Sequence, residues 1–213
     1  MRLVSYNIMK GGEGRADPLA EVILAQKSDI VALIETDDPA ALHRIASRLH
    51  MDFIEARGCA KVCALLSRWP IVRTINHGVL RAALSESAVL EAMVVEPTGV
   101  EWIVGVVDAP KSQLAFALDA FSLHRSAGRP HLLAGNPRLE SNDHQIRISG
   151  YLDAFDVKPP PLPHNFPTQN PDRRADCCLL FGFSPDRIQS VWVERDRLAR
   201  YASDHFPIGV EIE

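Results

Sequence analysis

Residues 88–107, with the sequence AVLEAMVVEPTGVEWIVGVV, contain two apolar runs of strand length joined by a short connection. The runs are Ala88–Val95 and Trp102–Val107, and between them lies Glu96-Pro97-Thr98-Gly99. Proline and glycine in such a connection favour a tight turn, so the stretch predicts a β-hairpin. The strands of a hairpin are antiparallel, which argues against a single doubly wound parallel sheet.

Short apolar runs on both sides of this hairpin predict further strands. They are Leu3–Ile8, Ile30–Ile34, Phe53–Ala56, Val62–Leu66, Ile71–Ile75, His131–Ala134, Asp176–Phe181, Ile188–Val193 and Phe206–Ile212. Apolar runs of this length between turn residues are typical of buried strands. Strands therefore outnumber helices in the predicted order of elements.

Helices are predicted between some of these strands. An Asp-Pro pair supplies an N-cap followed by proline at the first helical position, at Asp17-Pro18 and again at Asp38-Pro39. Two more helices are expected at about Ser112–Ser126 and Asn142–Ser149. Because hairpins are mixed with helical crossovers, we expect an α/β (α+β) fold, a four-layer α/β/β/α sandwich of two packed mixed β-sheets with helices outside. Residues 1–213 are expected to form it as a single domain.

The composition favours a globular intracellular protein. Of the 213 residues 46% are hydrophobic, enough for a sizeable core, and the formal net charge is −4. This charge argues against a surface that coats DNA, which needs clustered Lys and Arg, but is compatible with a small phosphorylated substrate. The sequence opens directly into an apolar strand without a signal segment, and no run reaches the roughly 20 apolar residues of a membrane span. A cytoplasmic location and no membrane span are therefore expected.

The four cysteines, Cys59, Cys63, Cys177 and Cys178, predict buried, reduced thiols. A zinc site formed by all four is conceivable, but the usual Cys-x-x-Cys pairs are missing. Cys177 and Cys178 are neighbours in an apolar run, so they are expected to point to opposite faces of one strand.

Polar side chains stand at the ends of several predicted strands, where sheet proteins place reactive groups. They are Asn7, Glu35, Asp108, Asn136, Asp176 and the triplet Ser203-Asp204-His205. Carboxylate and carbonyl oxygens suit Mg²⁺, and a histidine oriented by an aspartate can exchange protons near neutral pH or brace a phosphate. Each residue alone also has an ordinary structural explanation, such as a turn cap or a surface ion pair.

The order of these segments resembles the endonuclease/exonuclease/phosphatase superfamily over nearly the whole chain. The similar segments are Leu3–Ile8, Asp29–Glu35, Ala64–Ile71, Arg174-Ala175-Asp176 and Ser203-Asp204-His205-Phe206-Pro207. The last of these is the most specific, because it matches the superfamily's C-terminal signature in full. The superfamily includes pancreatic-type deoxyribonuclease, exonuclease III and inositol polyphosphate 5-phosphatases.

The resemblance implies a role for each matching residue. It implies that Asn7, Glu35 and Asp204 bind Mg²⁺ or Mn²⁺, that Asp176 and His205 act in catalysis, and that a substrate phosphate is bound near Arg174. All six residues lie within the segments that resemble the superfamily.

One segment departs from the superfamily. Where its members have Gly-Asp-Phe-Asn, this chain has Gly135-Asn136-Pro137-Arg138, and where they commonly have a histidine at the preceding strand end it has Asp108. Asn136 keeps the shape of aspartate but has no negative charge, and Arg138 can donate but not accept hydrogen bonds. Asp108 is a candidate to return the missing carboxylate, and Arg138 a candidate to bind substrate and stabilise the transition state. Alternatively, Asp108 and Arg138 form an ion pair that closes an abandoned cleft.

Three functions are therefore open. The first is a divalent-metal-dependent phosphoesterase that acts on a phosphodiester or phosphomonoester, and its activity could be reduced or altered because positioned catalytic groups are changed. The second is a catalytically inactive relative that binds a phosphorylated ligand or a protein partner, and the third is a scaffold without a ligand. A small phosphoester is favoured over long duplex DNA, although nucleic acid remains open because several arginines could line one rim of a cleft or simply form a solvated face. They are Arg173, Arg174, Arg195, Arg197 and Arg200.

Overall fold

The computed structural model describes residues 1–80, 86–137, 146 and 148–213. The strands are β1 (Arg2–Asn7), β2 (Ile30–Ile34), β3 (Asp52–Arg57), β4 (Val62–Ser67), β5 (Ile71–Asn76), β6 (Ala88–Val95), β7 (Glu101–Asp108), β8 (His131–Asn136), β9 (Leu152–Asp153), β10 (Cys177–Phe181), β11 (Ile188–Val193) and β12 (Ile208–Ile212). The helices are α1 (Ala16–Ala25), α2 (Pro39–Leu49), α3 (His77–Leu80), α4 (Leu114–Asp119), α5 (Ser122–Ser126), α6 (Ala154–Val157) and α7 (Arg197–Ala202), with 3-10 turns at Lys10–Gly12, Lys111–Gln113 and Pro185–Arg187.

The strands form two mixed six-stranded sheets. The order is β11-β12-β1-β2-β4-β3 in the first sheet and β5-β6-β7-β8-β10-β9 in the second. The pairs β1–β2 and β7–β8 are parallel, whereas β6 and β7 form the predicted hairpin, in register from Ala88 opposite Asp108 to Val95 opposite Glu101. None of the described helices is long and apolar enough to span a membrane.

Three apolar layers confirm the predicted α/β/β/α sandwich. The layer between the sheets contains alternate residues of both, such as Leu3 and Ile30 from the first sheet and Val104 from the second. Helices α1, α2 and α7 pack on the outer face of the first sheet, and α4 packs on the outer face of the second. β2 is buried along its whole length because it is covered on both faces, which explains its continuous apolar run.

The two Asp-Pro signals have different outcomes. Asp38 caps α2 as predicted, since its carboxylate accepts hydrogen bonds from the backbone nitrogens of Ala40 and Ala41. The prediction for Asp17 was wrong, because α1 begins at Ala16 and places Asp17 within its first turn. The Asp17 carboxylate instead binds the Arg44 guanidinium of α2, at 2.7 Å from Nε, so it joins two helices rather than capping one.

The helix predicted at Ser112–Ser126 is interrupted. It is divided into a 3-10 turn, α4 and α5, and the break places Phe121 in the core, where none of its surface is exposed. The Phe121 ring lies over Gly105, where a Cβ atom would come within 2.5 Å of it. Leu114, Leu118 and Phe121 are all buried at helical spacing, so the inner face of the predicted helix is retained although the helix is not continuous. The helix predicted at Asn142–Ser149 lies mostly outside the described residues.

None of the four cysteines forms a disulfide bond within the described part of the chain, and three of them are buried as predicted. The prediction was wrong for Cys59, which is exposed in the turn between β3 and β4. Cys177 and Cys178 do point to opposite faces of β10, since one packs in the outer layer and the other between the sheets.

Candidate active site

The ends of the parallel strands of both sheets come together at one end of the gap between the sheets, and this region is called the cleft. Val104 and Val106 of β7 pack between the sheets, so Asp108, two residues further on, points into the same gap. The same alternation in β8 directs Asn136 inward, and the register pairs it with Asp108. In the first sheet, β1 ends at Asn7 beside the end of β2.

Asn7 and Glu35 form one side of this cleft. Asn7 Nδ2 donates a hydrogen bond to Glu35 Oε1 at 3.0 Å, and the backbone nitrogen of Lys10 donates to Glu35 Oε2 at 3.0 Å. Asn7 Oδ1 in turn accepts from the backbone nitrogen of Met9 at 2.9 Å. Glu35 has a φ of 60°, a strained conformation for a residue other than glycine that is typical of functional sites.

These contacts keep Glu35 ionised. Burial by itself would raise the pKa of this carboxyl, but the hydrogen bonds from the Lys10 backbone and Asn7 lower it. The positive charges of Lys61 and His205 act in the same direction, so that the pKa of Glu35 lies below its ordinary value. Two strand ends far apart in sequence therefore share one electrostatic environment.

His205 is oriented by Asp176. Its Nδ1 lies 2.8 Å from Asp176 Oδ2, and both residues are buried, at 5% and 1% exposure. Burial lowers the pKa of His205, but the charge and hydrogen bond of Asp176 and the charges of Asp204 and Glu35 outweigh it and raise the pKa above its ordinary value. No described residue hydrogen-bonds to His205 Nε2, so this nitrogen is available to a ligand.

Asn165 braces this pair. Its fully buried Nδ2 donates to Asp176 Oδ2 and to the backbone oxygen of Phe206, the second at 3.0 Å. The Phe166 ring packs against the imidazole of His205, with 4.4 Å between ring centroids. Asn165 and Phe166 were not predicted as site residues, because an Asn-Phe pair in a loop has no distinctive sequence pattern.

The turn before β12 connects Asp204 to the first strand. Ser203 Oγ donates to the backbone oxygen of Asn7 at 2.7 Å and also accepts from the backbone nitrogen of His205 at 3.3 Å. The backbone oxygen of Asp204 accepts from the nitrogen of Thr168 at 2.9 Å. Asp204 is half-buried, and its Oδ1 lies 3.4 Å from Ser203 Oγ, so its carboxylate has a neighbour in the same turn and is partly accessible.

Asp108 lies opposite this group on the second sheet. Its Oδ1 is 3.6 Å from Lys61 Nζ, and its buried Oδ2 has no hydrogen-bond partner among the residues that the structure describes. Burial raises the pKa of Asp108 to about 6, although Lys61 opposes the shift, and the negative charge of Glu35 adds to it. Lys61 was not predicted, since a lone lysine in a turn indicates nothing about its partner.

Solved structures with a similar fold support the sequence resemblance. An endonuclease/exonuclease/phosphatase from Bacteroides vulgatus superimposes with a TM-score of 0.77 at 14% identity, over 100% of this chain and 98% of the other. The mannosyl-6-phosphatase of Bacteroides thetaiotaomicron VPI-5482 gives 0.79 at 18% identity, over 100% and 99%. D. rerio TDP2 complexed with a single-strand DNA product gives 0.74 at 16% identity, over 99% and 97%.

This chain has the endonuclease/exonuclease/phosphatase fold. No protein-family model and no curated protein sequence matches it. At these low identities, the similarity to the solved structures extends to the arrangement of the two sheets and their helices, and not to substrate or activity.

Within the endonuclease/exonuclease/phosphatase fold, Arg174 makes a contact that was not predicted. Its guanidinium forms an ion pair with Asp153, at 2.7 Å from Nη1 to Oδ1, and lies over the Phe155 ring. The pair is largely buried, with 14% and 5% of the two side chains exposed. Arg174 therefore joins β10 to β9 and α6. Arg138, predicted to bind substrate and to pair with Asp108, lies outside the described residues.

Two further arginines considered for the rim, Arg173 and Arg195, also have partners. Arg173 pairs with Asp172 at 3.1 Å and covers the outer face of the Phe166 ring. Arg195 donates to the backbone oxygen of Leu162 at 3.3 Å. These contacts are those of a solvated surface that stabilises loops.

The chemistry of the cleft fits a hard divalent cation. Glu35 and Asp204 offer carboxylate oxygens, and Mg²⁺ commonly takes one or two carboxylates together with water and phosphate oxygens. Among the described residues, one buried oxygen of Asp108 and one of Asp176 have no hydrogen-bond partner, so each has lone pairs for a further ligand. Within the described ranges, no group of three or more His, Cys, Asp or Glu side chains could hold a metal ion by itself.

Proposed function

We propose that this chain is a divalent-metal-dependent phosphoesterase that hydrolyses a phosphodiester or phosphomonoester. The observation that carries the proposal is the buried pair of His205 and Asp176, whose side chains are 2.8 Å apart. The positive charge of His205 lowers the pKa of Glu35, the carboxylate to which Asn7 donates a hydrogen bond. An imidazole and a braced carboxylate in one cleft combine the two elements that phosphoryl transfer needs, charge stabilisation and positioned hydrogen bonds.

Glu35 and Asp204 would hold Mg²⁺ or Mn²⁺, with Asn7 beside them. When bound, such a cation neutralises phosphoryl oxygens and stabilises the charge that develops during displacement. Asn7 keeps Glu35 in place through its amide, and the backbone of Lys10 holds the second carboxylate oxygen. These hydrogen bonds leave lone pairs on both oxygens of Glu35 for a further ligand.

His205 would donate a hydrogen bond from Nε2 to a phosphoryl oxygen. Asp176 holds Nδ1, and this fixes the orientation of the ring and favours its protonated form. A protonated imidazole stabilises a pentavalent phosphoryl group better than a neutral one, because its hydrogen bond is assisted by charge. Asp176 is thus a positioning residue and His205 a catalytic one.

Asp108 would supply the carboxylate that Asn136 lacks. The two residues lie next to each other on adjacent strands, so a water molecule near one is also near the other. With a pKa of about 6, Asp108 is mostly ionised at neutral pH yet basic enough to accept a proton from water.

A small phosphoester is the proposed substrate. The net charge of −4 favours a compact anion that one local site can neutralise over long duplex DNA. Similarly folded proteins include a mannosyl-6-phosphatase and TDP2 with bound single-strand DNA, so a short nucleic acid is the second substrate class to test.

A catalytically inactive relative that binds a phosphorylated ligand or a protein partner is the alternative function. It is favoured by one observation, the amide of Asn136 at the strand end where a carboxylate is expected. Loss of one positioned catalytic group commonly costs about 10²–10⁴ in rate, enough to abolish turnover if Asp108 does not compensate.

Hydrolysis of an aryl phosphodiester and an aryl phosphomonoester, with Mg²⁺, Mn²⁺ or a chelator, separates the two functions. We expect metal-dependent activity in the wild type and in the control His43→Ala, which changes an exposed histidine, and loss of it in His205→Ala and Glu35→Ala. Activity that persists in His205→Ala would contradict the phosphoesterase proposal. A silent wild type that becomes active with Asn136→Asp would support the inactive relative.

A further inference from the structure

Lys61 is held at the mouth of the cleft by the turn between β3 and β4. The backbone nitrogen of Gly58 donates to the oxygen of Lys61 at 2.8 Å and closes the turn. Gly58 packs directly on the backbone of Ser87, since a Cβ atom there would lie 2.1 Å from the Ser87 oxygen. The position of the lysine is therefore fixed by contacts with both sheets.

The Lys61 side chain crosses the gap between the sheets. Its Nζ lies 3.6 Å from Asp108 Oδ1, and 26% of the lysine side chain is exposed against 4% of the aspartate. A charge-assisted hydrogen bond is usually about 2.7–2.9 Å long, so this ammonium is attracted to Asp108 without being committed to it. An ammonium has three donors, and this contact occupies at most one of them.

Two other cations near the cleft are already bound elsewhere. Arg174 is paired with Asp153, and the Arg15 guanidinium donates to the backbone oxygens of Met9 and Ala202. Lys61, in contrast, has a partly exposed side chain, and its ammonium lies near the Asp108 carboxylate. Its charge also lowers the pKa of Glu35 across the cleft, so it lies within electrostatic reach of both sides.

We propose that Lys61 is a specificity-determining residue that binds a nonbridging oxygen of the substrate phosphate and rests on Asp108 when no phosphate is bound. This inference rests on the proposed phosphoesterase function. The exchange needs no change in the fold, because a lysine side chain rotates about four carbon–carbon bonds while its backbone stays in the turn. Transfer of the ammonium to the phosphate also frees Asp108 to accept a proton from water.

Calorimetric titration with inorganic phosphate, with and without Mg²⁺, tests the role of Lys61. The variants are Lys61→Met and Lys61→Gln, which remove the charge, Lys61→Arg, which keeps it, and the control Lys27→Met, which removes an exposed charge at the opposite end of β2. We expect the neutral variants to bind phosphate about 10- to 100-fold more weakly than the wild type, as is usual when a hydrogen bond to a charged group is lost. Lys61→Arg should retain most of the affinity, and Lys27→Met all of it.

Binding of Mg²⁺ alone gives a second readout. We expect the neutral variants to bind Mg²⁺ at least as tightly as the wild type, because a positive charge near Glu35 has been removed. If wild type and both neutral variants bind phosphate equally, the role of Lys61 is wrong and the phosphoesterase proposal stands. If the wild type binds no phosphate with or without Mg²⁺, both proposals fail.

Discussion

Asp108 and Asn136 lie side by side at the ends of β7 and β8, paired in register across a parallel ladder. The carboxylate in this part of the cleft is thus on β7 and an amide is on β8. Because the positions are adjacent and point into the same gap, moving a carboxylate from one to the other changes its place by about one strand spacing of 4.8 Å.

An exchange of these two side chains tests whether the carboxylate is needed on either strand. We expect Asp108→Asn to lower the rate of phosphoester hydrolysis by about 10²–10³, and the double variant Asp108→Asn with Asn136→Asp to recover part of the loss. The measurement is kcat/KM on an aryl phosphodiester. Asp52→Asn, at the far end of β3, is the control. An Asp108→Asn variant as active as the wild type would exclude Asp108 from the reaction.

The Asp108 carboxylate should also lower the free energy of unfolding at neutral pH. Its pKa is raised to about 6 in the folded protein, mainly by burial, so the folded state binds its proton more tightly than the unfolded state. Stability is therefore lost as the pH rises through about 4 to 6. We expect Asp108→Asn to be more stable than the wild type by about 1–3 kcal/mol at neutral pH and equally stable below about pH 4. Urea unfolding with a chelator present, as a function of pH, measures this difference.

Glu91 has the opposite effect on stability. This buried carboxylate of β6 accepts hydrogen bonds from His77 Nε2 at 3.0 Å and from His124 Nε2 at 2.9 Å. Burial would raise its pKa, but the hydrogen bonds and charges of the two histidines lower it to about 2. Its contribution to stability is therefore present above the unfolded pKa and lost as the pH falls toward about 2.

Glu91→Gln should lower the free energy of unfolding by about 1–3 kcal/mol at neutral pH, because each histidine loses a charged acceptor. The difference from the wild type should shrink as the pH falls below about 4. Glu101→Gln, which changes an exposed residue of the neighbouring β7, should have little effect. Thermal or urea unfolding at several pH values checks both variants, and an equal loss in the two would contradict the role of the histidine contacts.

Variants of Arg174 and Asp153 test whether Arg174 stabilises the fold or binds the substrate. Removal of one partner of a buried ion pair typically costs about 3–5 kcal/mol, so we expect Arg174→Met to be strongly destabilised and Asp153→Leu to behave similarly. The double variant should recover much of that stability, because no unpaired charge is left. Assayed at a temperature at which it is folded, Arg174→Met should keep the KM of the wild type. A large rise in KM would restore the substrate-binding role.

Most of the fold could be predicted because its signals are local. The apolar run of β2 indicates a strand covered on both faces, and Asp38 before Pro39 indicates a helix start that is present in the structure. Prediction failed where a contact with a residue distant in sequence replaces the expected local contact. Asp17 binds Arg44 of another helix instead of capping its own. The helix predicted at Ser112–Ser126 is interrupted at Phe121, whose ring packs over Gly105.

The candidate site, too, was predicted in part. Asn7, Glu35, Asp176 and His205 could be proposed from their positions at strand ends and from motif order, but the residues that support them from other segments could not. Nothing in the local sequence shows that Lys61 faces Asp108 or that Asn165 supports Asp176. Such contacts join segments far apart in the chain, and they depend on how the two sheets stack.

By itself, then, the sequence determined the element types, the two-sheet architecture and the residues that stand at strand ends, because period and turn chemistry act over a few neighbours. Only the tertiary structure decided that Arg174 faces Asp153 and that Lys61 faces Asp108. The strength and partner of a charge depend on distance and burial, and both are set by the packing of whole layers rather than by any short stretch of chain.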